Sequence, residues 1–227
     1  MTKYLLEAHK IKKNFDHKNG LIKVFDNVNV KIKPGELIAI VGPSGSGKSS
    51  LLHLLSLLDK PTSGKITFMG KDTKKMSEND KNAIRRNKIS MIFQDNNLLT
   101  DFTALENVLM PLIIRGEDHR NSFSKAKKIL NAVKLQDRSN HFPNELSGGE
   151  QQRVAIARAL IAETKIILAD EPTGNLDIKN SKEVFTYFLK LKEKNKIILI
   201  ATHNRELAKK ADYALSISDG NIKRVNV

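Results

Sequence analysis

One glycine-rich segment, Gly42-Pro43-Ser44-Gly45-Ser46-Gly47-Lys48-Ser49, constrains the fold of this chain more than any other feature. It fits the pattern G-x-x-x-x-G-K-[ST], follows the apolar run Leu37–Val41 and precedes residues 49–58, whose leucines recur at helical spacing. A strand, a glycine-rich turn and a helix in this order predict a loop that cradles phosphate groups. We therefore predict an α/β fold, and we call residues 42–49 the phosphate loop.

The chemistry of the phosphate loop predicts ATP and Mg²⁺ as cofactors. Its backbone N–H groups and the following helix N-terminus favour an anion. Lys48 is placed to reach the β- and γ-phosphates, and the Ser49 hydroxyl is placed to bind Mg²⁺. We predict that all eight loop residues and the adjacent Ser50 contact the nucleotide. The alternative, a glycine-rich turn that only joins a strand to a helix, is disfavoured by the flanking elements.

Two acids follow a second buried strand. Ile166–Ala169 is an apolar run, and Asp170 and Glu171 come directly after it. In open α/β sheets ligands bind at the carboxyl ends of the strands, so both side chains are expected near the phosphates. We predict that Asp170 holds Mg²⁺ through water and that Glu171 orients or deprotonates the attacking water. The alternative for Glu171 is a surface acid that happens to follow a strand.

The rest of the chain predicts one domain, residues 1–227, with an insertion. Further buried strands are predicted at Ile89–Phe93 and Ile197–Ala201, and Asp219-Gly220 predicts a hairpin between 213–218 and 221–225. Weak alternation before Pro34 predicts an N-terminal antiparallel β region. Helical patterns alone fill residues 95–163, which include an amphipathic helix at 124–134, and another such helix is predicted at 181–193. We predict a core of about 1–94 and 164–227 with a helical subdomain at about 95–163.

Composition narrows the classes of function. Lysine and arginine outnumber acids, for a net charge of +14, but the lysines are scattered, and three tyrosines and no tryptophan provide no stacking platform. No nucleic-acid partner is therefore expected. The absence of cysteine excludes disulfides and thiol catalysis. Neither a signal peptide nor a run of about 18 apolar residues is present, so any membrane would be served from its surface.

The segment Leu146-Ser147-Gly148-Gly149-Glu150, the signature segment below, has a local and a wider interpretation. Locally, Ser147 and Glu150 predict a capping box that opens a helix at residues 151–162. From about Leu5 onward the chain also resembles the ABC ATPase family, whose signature is LSGGQ. That resemblance implies a two-fold dimer in which residues 147–150, above all Ser147 and Gly149, face the nucleotide of the other subunit. Glutamate at position 150 departs from the usual glutamine and still supports the capping box.

Smaller landmarks of the family appear in order. By resemblance, Gln94 senses Mg²⁺ and the attacking water, Asn175-Leu176-Asp177 lies at the dimer interface, and His203 contacts the γ-phosphate. Phe15 stands where the family usually has a tyrosine that stacks on adenine; stacking survives this change although the hydroxyl does not. The alternatives are a helix cap for His203 and an ordinary core position for Phe15.

Two segments narrow the family. Residues 51–64 and 98–112 resemble the ATP-binding subunits of bacterial lipoprotein-releasing (Lol) systems. The resemblance implies a place on the cytoplasmic face of the inner membrane, with Lol-type membrane subunits as partners and lipoproteins as indirect cargo. The chain departs from the pattern at Asp95-Asn96-Asn97 and at Thr100, where bulkier residues and a proline are expected. Macrolide-exporter and cell-division ATPases stay as alternatives, and Phe102–Leu112 could simply pack on its own subdomain.

Three other classes are less consistent with the sequence. ABC ATPases of DNA repair or chromosome structure, which would act on nucleic acid, separate the two halves of their site by long heptad runs. None lies between Lys48 and Ser147 here. Translation-associated ABC proteins usually carry two such domains in one chain. A binding module without activity is disfavoured by the intact Lys48, Asp170 and Glu171.

Overall fold

Two β-sheets and a group of helices build the chain in the computed structural model, which describes residues 4–18, 20–174 and 176–226. The strands are β1 Leu6–His17, β2 Gly20–Ile32, β3 Leu37–Val41, β4 Ser63–Phe68, β5 Lys71–Asp72, β6 Ile89–Ile92, β7 Ile166–Asp170, β8 Ile197–Ala201, β9 Tyr213–Ser218 and β10 Asn221–Val225. The α-helices are α1 Lys48–Leu55, α2 Glu78–Lys88, α3 Ala104–Ile114, α4 His119–Ala132, α5 Gly148–Ile161, α6 Ile178–Glu193 and α7 Arg205–Ala208. Short 3-10 turns lie at Thr73–Lys75, Gln136–Arg138 and Pro143–Glu145.

The central sheet has the strand order β10-β9-β3-β8-β7-β6, and its pairs are parallel except β9 with β10. Strands β3, β7 and β8 are buried almost throughout, as their unbroken apolar runs predict for strands covered on both faces. The strands predicted at 37–41, 89–93, 166–169 and 197–201 are confirmed to within one residue. The hairpin at Asp219-Gly220 is confirmed as well.

The parallel pairing brings several strand ends to one edge of the central sheet. The register places Ile40 and Asp170 on either side of Ala201, at the ends of β3, β7 and β8. Because parallel strands share one direction, the residues that follow them meet at the same edge. These residues are Gly42 after β3, Phe93 after β6, Glu171 after β7 and Thr202 after β8.

The second sheet is antiparallel, with the order β2-β1-β4-β5, and it confirms the predicted N-terminal antiparallel region. Apolar side chains of this sheet share one buried cluster with helix α1 and the central sheet, which includes Leu6, Ile66, Leu52 and Leu199. Helix α1 therefore contributes to the core between the two sheets. This packing fixes the start of α1, where the phosphate loop ends.

Helices α3, α4 and α5 have an apolar cluster of their own. It consists of Ala104, Leu105, Val108, Leu109, Leu112, Ala126, Leu130, Val133, Leu135, Leu146, Val154, Ala157 and Ile161, with Leu98 and Ile129 packed against it. No residue of the strands belongs to this cluster, among the residues that the structure describes. The separate cluster supports the predicted helical subdomain, whose boundaries stay a prediction.

Three helices begin earlier than predicted; α5, predicted at 151–162, begins at Gly148 directly after its N-cap Ser147. Helix α4 starts at His119 because the Asp118 side chain accepts a hydrogen bond from the Asn121 N–H at 2.9 Å. In the same way, Asp177 caps α6 by accepting from the Asn180 N–H at 2.8 Å. The first turns of these helices are mostly polar, so periodicity alone did not reveal them.

The helical region is tied to the core by charged side chains. Arg115, which follows α3, donates to the Arg86 carbonyl from Nε at 2.9 Å and from Nη2 at 2.8 Å. Its Nη1 donates to the Ala162 carbonyl at 2.6 Å. On another side, the Lys134 ammonium lies 2.7 Å from a Glu183 carboxylate oxygen on α6. These contacts fix the position of the helical region relative to the core.

Asn107 fixes the loop that precedes α3. Its fully buried side chain accepts from the Leu99 N–H at 2.8 Å and donates to the carbonyls of Leu99, Phe102 and Thr103 at 3.0, 2.9 and 3.1 Å. The Leu99 and Thr103 carbonyls also accept from the N–H groups of Phe102 and Asn107, at 3.2 and 2.9 Å, so the amide matters most for the Leu99 N–H and the Phe102 carbonyl.

Replacing Asn107 by alanine should lower the free energy of unfolding by about 3 kcal/mol, because the Leu99 N–H and the Phe102 carbonyl lose the hydrogen bonds that the buried amide makes to them. Denaturant unfolding measures this loss. Asn131→Ala, on the exposed side of α4, is the control and should change stability by no more than about 0.5 kcal/mol. If both changes lowered the free energy of unfolding equally, the buried amide of Asn107 would contribute no more to stability than an exposed one.

Candidate functional site

A cavity of about 550 Å³ lies at the edge where the parallel strands end. Its lining residues come from the phosphate loop, from the loops after β6 and β7 and from the loop after β8. They are Gly42, Ser44, Gly45, Gly47, Lys48, Ser49, Ser50, Gln94, Asp170, Glu171, Gly174 and His203. Of the predicted loop contacts, only Pro43 and Ser46 are missing from this lining. The structure thus brings together residues that are up to 161 positions apart in sequence.

Two glycines of the phosphate loop, Gly42 and Gly47, are required by their neighbours. Gly47 has φ +100°, and a Cβ built there would lie 2.6 Å from Val24 and 2.9 Å from Phe25 on β2. At Gly42 a Cβ would lie 2.5 Å from the Ile217 carbonyl oxygen on β9, which is backbone and cannot move aside. The loop therefore runs in a narrow space between two strands, where only glycine fits.

Positive charge and free N–H groups converge at the start of α1. The Lys48 ammonium donates to the carbonyls of Gly42 and Pro43, both at 3.1 Å, so the side chain lies across the loop. The first turn of α1 presents the N–H groups of Lys48, Ser49 and Ser50, for which a helix has no internal partner. Together with the positive end of the helix dipole, these groups favour a polyphosphate.

The two acids after β7 have different environments. Asp170 is buried at the end of its strand. Glu171 has the left-handed φ of +45°, unusual for a residue with a side chain, and its N–H donates to the Ala201 carbonyl at 2.9 Å. Strained backbone of this kind is held by the surrounding structure and is frequent at functional sites. Here it directs the chain sharply away from the sheet directly after Asp170.

Glu171 and His203 form a pair. The Glu171 Oε2 atom lies 3.0 Å from His203 Nδ1 and also accepts from the His203 backbone N–H at 3.4 Å. The carboxylate side chain is 13% exposed and the imidazole 76% exposed. Thus an acceptor with little access to water stands beside a ring that reaches into the cavity. This arrangement suits a carboxylate that orients or deprotonates water, with the histidine directed at a phosphate.

Gln94 enters the cavity from a tight turn after β6. The Asn96 N–H donates to the Phe93 carbonyl at 3.1 Å, which closes a β-turn with Gln94 at its first corner. The Gln94 side chain is exposed and lines the cavity. Gln94 thus lines the same cavity as Ser49 and Asp170, the other predicted ligands of Mg²⁺.

Two groups of predicted site residues lie outside this cavity. Phe15 is 43% exposed, and the Lys13 ammonium lies 4.5 Å from its ring centroid, so its role as an adenine platform stays a prediction. The signature segment lies at the N-terminus of α5, where Ser147 and Glu150 form the predicted capping box. Asn175 lies outside the described residues, so its predicted place at a dimer interface stays a prediction.

Gly174 was missed by the sequence analysis as a lining residue. Its N–H donates to the Glu171 carbonyl at 3.0 Å, which closes the turn after the catalytic candidates. The available signal was a glycine three residues after Glu171. The sequence alone does not predict that this turn places Gly174 in the same cavity as the phosphate loop.

Comparison with known proteins gives consistent findings. Residues 25–174 match the family model described as "ABC transporter". The chain is 48% identical to the lipoprotein-releasing system ATP-binding protein LolD of Rickettsia bellii (strain RML369-C), over 97% of this chain and 98% of that protein. It is 46% identical to the LolD protein of Wigglesworthia glossinidia brevipalpis, with 98% of each covered.

A solved structure is similar over nearly the whole chain. The dimeric structure of a post-hydrolysis state of the ATP-binding cassette MJ0796, bound to ADP and Pi, matches with a TM-score of 0.92 and 38% identity. The match covers 96% of this chain and 97% of that one.

Glu150 should make the stability of α5 depend on pH. The backbone N–H of Ser147, its hydroxyl and the Arg138 guanidinium hold the pKa of Glu150 below its usual range. A carboxyl with a lowered folded pKa adds stability above its unfolded pKa of about 4.3, and that stability disappears as pH falls through the folded pKa.

We therefore expect Glu150→Gln to lower the free energy of unfolding by about 1 kcal/mol at pH 7. This loss should become smaller as the pH falls, because Glu150 is then protonated in the parent chain. Equilibrium unfolding of both proteins between pH 7 and about pH 3 measures it. The control is Glu206→Gln, at an 84% exposed side chain, which should show a small difference at every pH. A Glu150→Gln difference that stays constant down to pH 3 would contradict the argument.

Proposed function

The chain belongs to the ABC transporter family and hydrolyses ATP, and we propose that it does so as one half of a dimer that drives lipoprotein release from a bacterial membrane. The observation that carries this proposal is the convergence of Lys48, Asp170, Glu171 and His203 in one cavity beside the phosphate loop. Such a set can hold a nucleoside triphosphate and present water to its last phosphate. The relatives named above support the choice of cargo.

The donors in the cavity fit Mg²⁺. Ser49, Gln94 and Asp170 offer a hydroxyl, an amide and a carboxylate, all oxygen ligands of the kind that Mg²⁺ prefers. Across the described ranges, no group of three or more His, Cys, Asp and Glu side chains is placed to hold a metal. That suits a cation shared between one carboxylate and the phosphates of ATP. When bound, Mg²⁺ would neutralise charge that develops on the phosphates.

The chain's own residues would divide the chemistry as follows. Lys48 and the first N–H groups of α1 hold the β- and γ-phosphates. Glu171 orients the attacking water and accepts its proton, because its carboxylate lines the same cavity as the phosphate loop and is not assigned to the cation. His203, held by Glu171 at 3.0 Å, contacts the γ-phosphate.

The signature segment supports a dimer. Ser147 and Glu150 lie outside the cavity of their own chain, and their side chains already satisfy each other. The first N–H groups of α5 stay available for an anion supplied by a second copy. The similar solved structure is dimeric and carries ADP and Pi, which supports the same assembly here.

The Glu171→Gln chain should bind ATP and lose about a hundredfold or more of its hydrolysis rate, because the amide cannot accept the proton of water. ATP should then hold two chains together, and gel filtration with ATP and Mg²⁺ should show a dimer. Glu163→Gln, at an exposed carboxylate away from the cavity, should hydrolyse ATP like the parent chain. A Glu171→Gln chain that turns over at the parent rate would remove this residue from its role.

A groove near the cavity supports docking of membrane subunits. It measures about 340 Å³, and its apolar lining includes Met91, Phe93, Pro111 and Ile114, the last with a 59% exposed side chain. Arg85, Arg86 and Arg158 lie at the same groove. No helix of the described residues has the length and apolarity to cross a membrane. We propose that Lol-type membrane subunits dock in this groove, within reach of the Gln94–Leu112 region, from the cytoplasmic side.

Depletion of the protein in its own cell should trap outer-membrane lipoproteins in the inner membrane, because the ATP-driven closure that extracts them is lost. Membrane fractionation followed by lipoprotein detection measures the effect. Complementation with the parent chain should restore sorting, whereas a Lys48→Ala chain made at the same level should not. Normal lipoprotein sorting with failed septation or failed drug efflux would move the assignment to the cell-division or macrolide-exporter systems.

A further inference from the structure

The loop that carries Gln94 has an unusual backbone. Asn96 and Asn97, two and three residues after Gln94, both have left-handed φ values, +60° and +44°. Two such residues in succession are uncommon outside glycine, and asparagine is among the side chains that tolerate this conformation best. We call residues 94–97 the glutamine loop. The departure from the family pattern at Asn96-Asn97 therefore suits the backbone that the loop adopts here.

The side chains of the glutamine loop do little to fix this backbone. The Asn96 amide oxygen is buried without a hydrogen-bond donor. The internal bonds of the loop run between the Asn96 N–H and the Phe93 carbonyl at 3.1 Å, and between the Asn97 N–H and the Asp95 carbonyl at 2.6 Å. Such short-range bonds close the turn but do not anchor it to the rest of the molecule.

Arg158 provides the anchor. Its Nη2 donates to the Asn96 carbonyl and its Nη1 to the Asn97 carbonyl, both at 2.7 Å. Burial lowers the pKa of Arg158, which reflects the water that the guanidinium has given up. A planar guanidinium can hold two carbonyls in one fixed geometry, whereas a lysine ammonium cannot. The two left-handed residues are thus held by a side chain that lies more than 60 positions away in sequence.

Arg158 and the signature segment belong to one helix. Ser147 caps α5, and Arg158 follows eleven residues later, about 16 Å along the helix axis. The buried residues Val154, Ile156 and Ala157 pack this helix on two apolar clusters, so Ser147 and Arg158 lie on one well-packed element. Any displacement of its N-terminus along the helix axis would reach the glutamine loop through Arg158.

We propose that Arg158 is a positioning residue that holds Gln94 in place for its own cavity and links it to the signature segment on the same helix. This inference rests on the proposed dimer, in which the signature segment meets the nucleotide of the other subunit. Each α5 then connects Ser147 in one ATP site with Gln94 in the other. Arg158 also lines the groove proposed for the membrane subunits. A subunit docked there would lie beside the hydrogen bonds between Arg158 and the glutamine loop.

The test uses mixed dimers of full-length chains that carry two different affinity tags. One chain carries Glu171→Gln, so it binds ATP without hydrolysing it and only the other chain turns over. Arg158→Lys is placed either in the hydrolysing chain or in its Glu171→Gln partner. Turnover and the Mg²⁺ concentration for half-maximal rate are measured for each placement.

We expect Arg158→Lys in the hydrolysing chain to lower turnover about tenfold and to raise the half-maximal Mg²⁺ concentration about threefold or more, because Gln94 is misplaced. The same change in the partner chain should alter turnover less than about twofold. Arg115→Lys is the matched control, since Arg115 also holds backbone carbonyls between the helical region and the core but does not touch the glutamine loop. It should leave the Mg²⁺ dependence unchanged.

A second variant tests the loop without touching α5. Asn97→Val, at an exposed side chain, should give the same loss in the hydrolysing chain only, because a β-branched residue resists the left-handed backbone. Equal losses in both placements, or an Arg115→Lys effect of the same kind, would overturn the inference. If the parent chains form no ATP-dependent dimer, the proposed function fails, and the inference fails with it.

Discussion

The parallel pairing of β7 and β3 with the central strand β8 is the constraint on which the rest of the structure depends. It places Ile40 and Asp170 on either side of Ala201, so the phosphate loop, Glu171 and the His203 loop leave the sheet at one edge. Because neighbouring residues of a strand point to opposite faces, a slip of one position would turn Asp170 away from the phosphate loop. The buried apolar runs of these three strands fix the register, and the register fixes the distances within the cavity.

Much of this arrangement could be predicted from the sequence because its signals are local. The phosphate loop is one continuous motif between a strand and a helix, and Asp170-Glu171 follows an apolar run whose end is easily located. Contacts between distant residues gave no such signal. The hydrogen bonds from Arg158 to the Asn96 and Asn97 carbonyls join residues more than 60 positions apart in sequence. The left-handed φ of Glu171 likewise depends on its neighbours in three dimensions. The roles of Phe15 and the signature segment stay predictions, since both lie outside the cavity of their own chain.

The signature segment shows how one short sequence can serve the fold and a ligand together. The Ser147 and Glu150 side chains satisfy the N-terminus of α5, and Arg138 adds an ion pair to Glu150 at 3.0 Å. The helix is therefore stable at its start without any ligand. Gly148 and Gly149 keep the surface above the first turn small, so an anion can approach the backbone closely. The capping interpretation and the ligand interpretation thus describe different atoms of the same residues.

The hydrogen bonds from Arg158 to the backbone of the glutamine loop affect how the sequences of related chains can diverge. A guanidinium that holds two backbone carbonyls recognises no side chain, so residues 95–97 can vary among the side chains that tolerate the left-handed backbone at positions 96 and 97. Substitutions there can reshape the neighbouring groove while the link between Gln94 and α5 persists. A lineage could thus adapt this surface to a new membrane partner without altering its ATP chemistry. Asn96 and Asn97, in place of bulkier residues, illustrate that freedom in the present sequence.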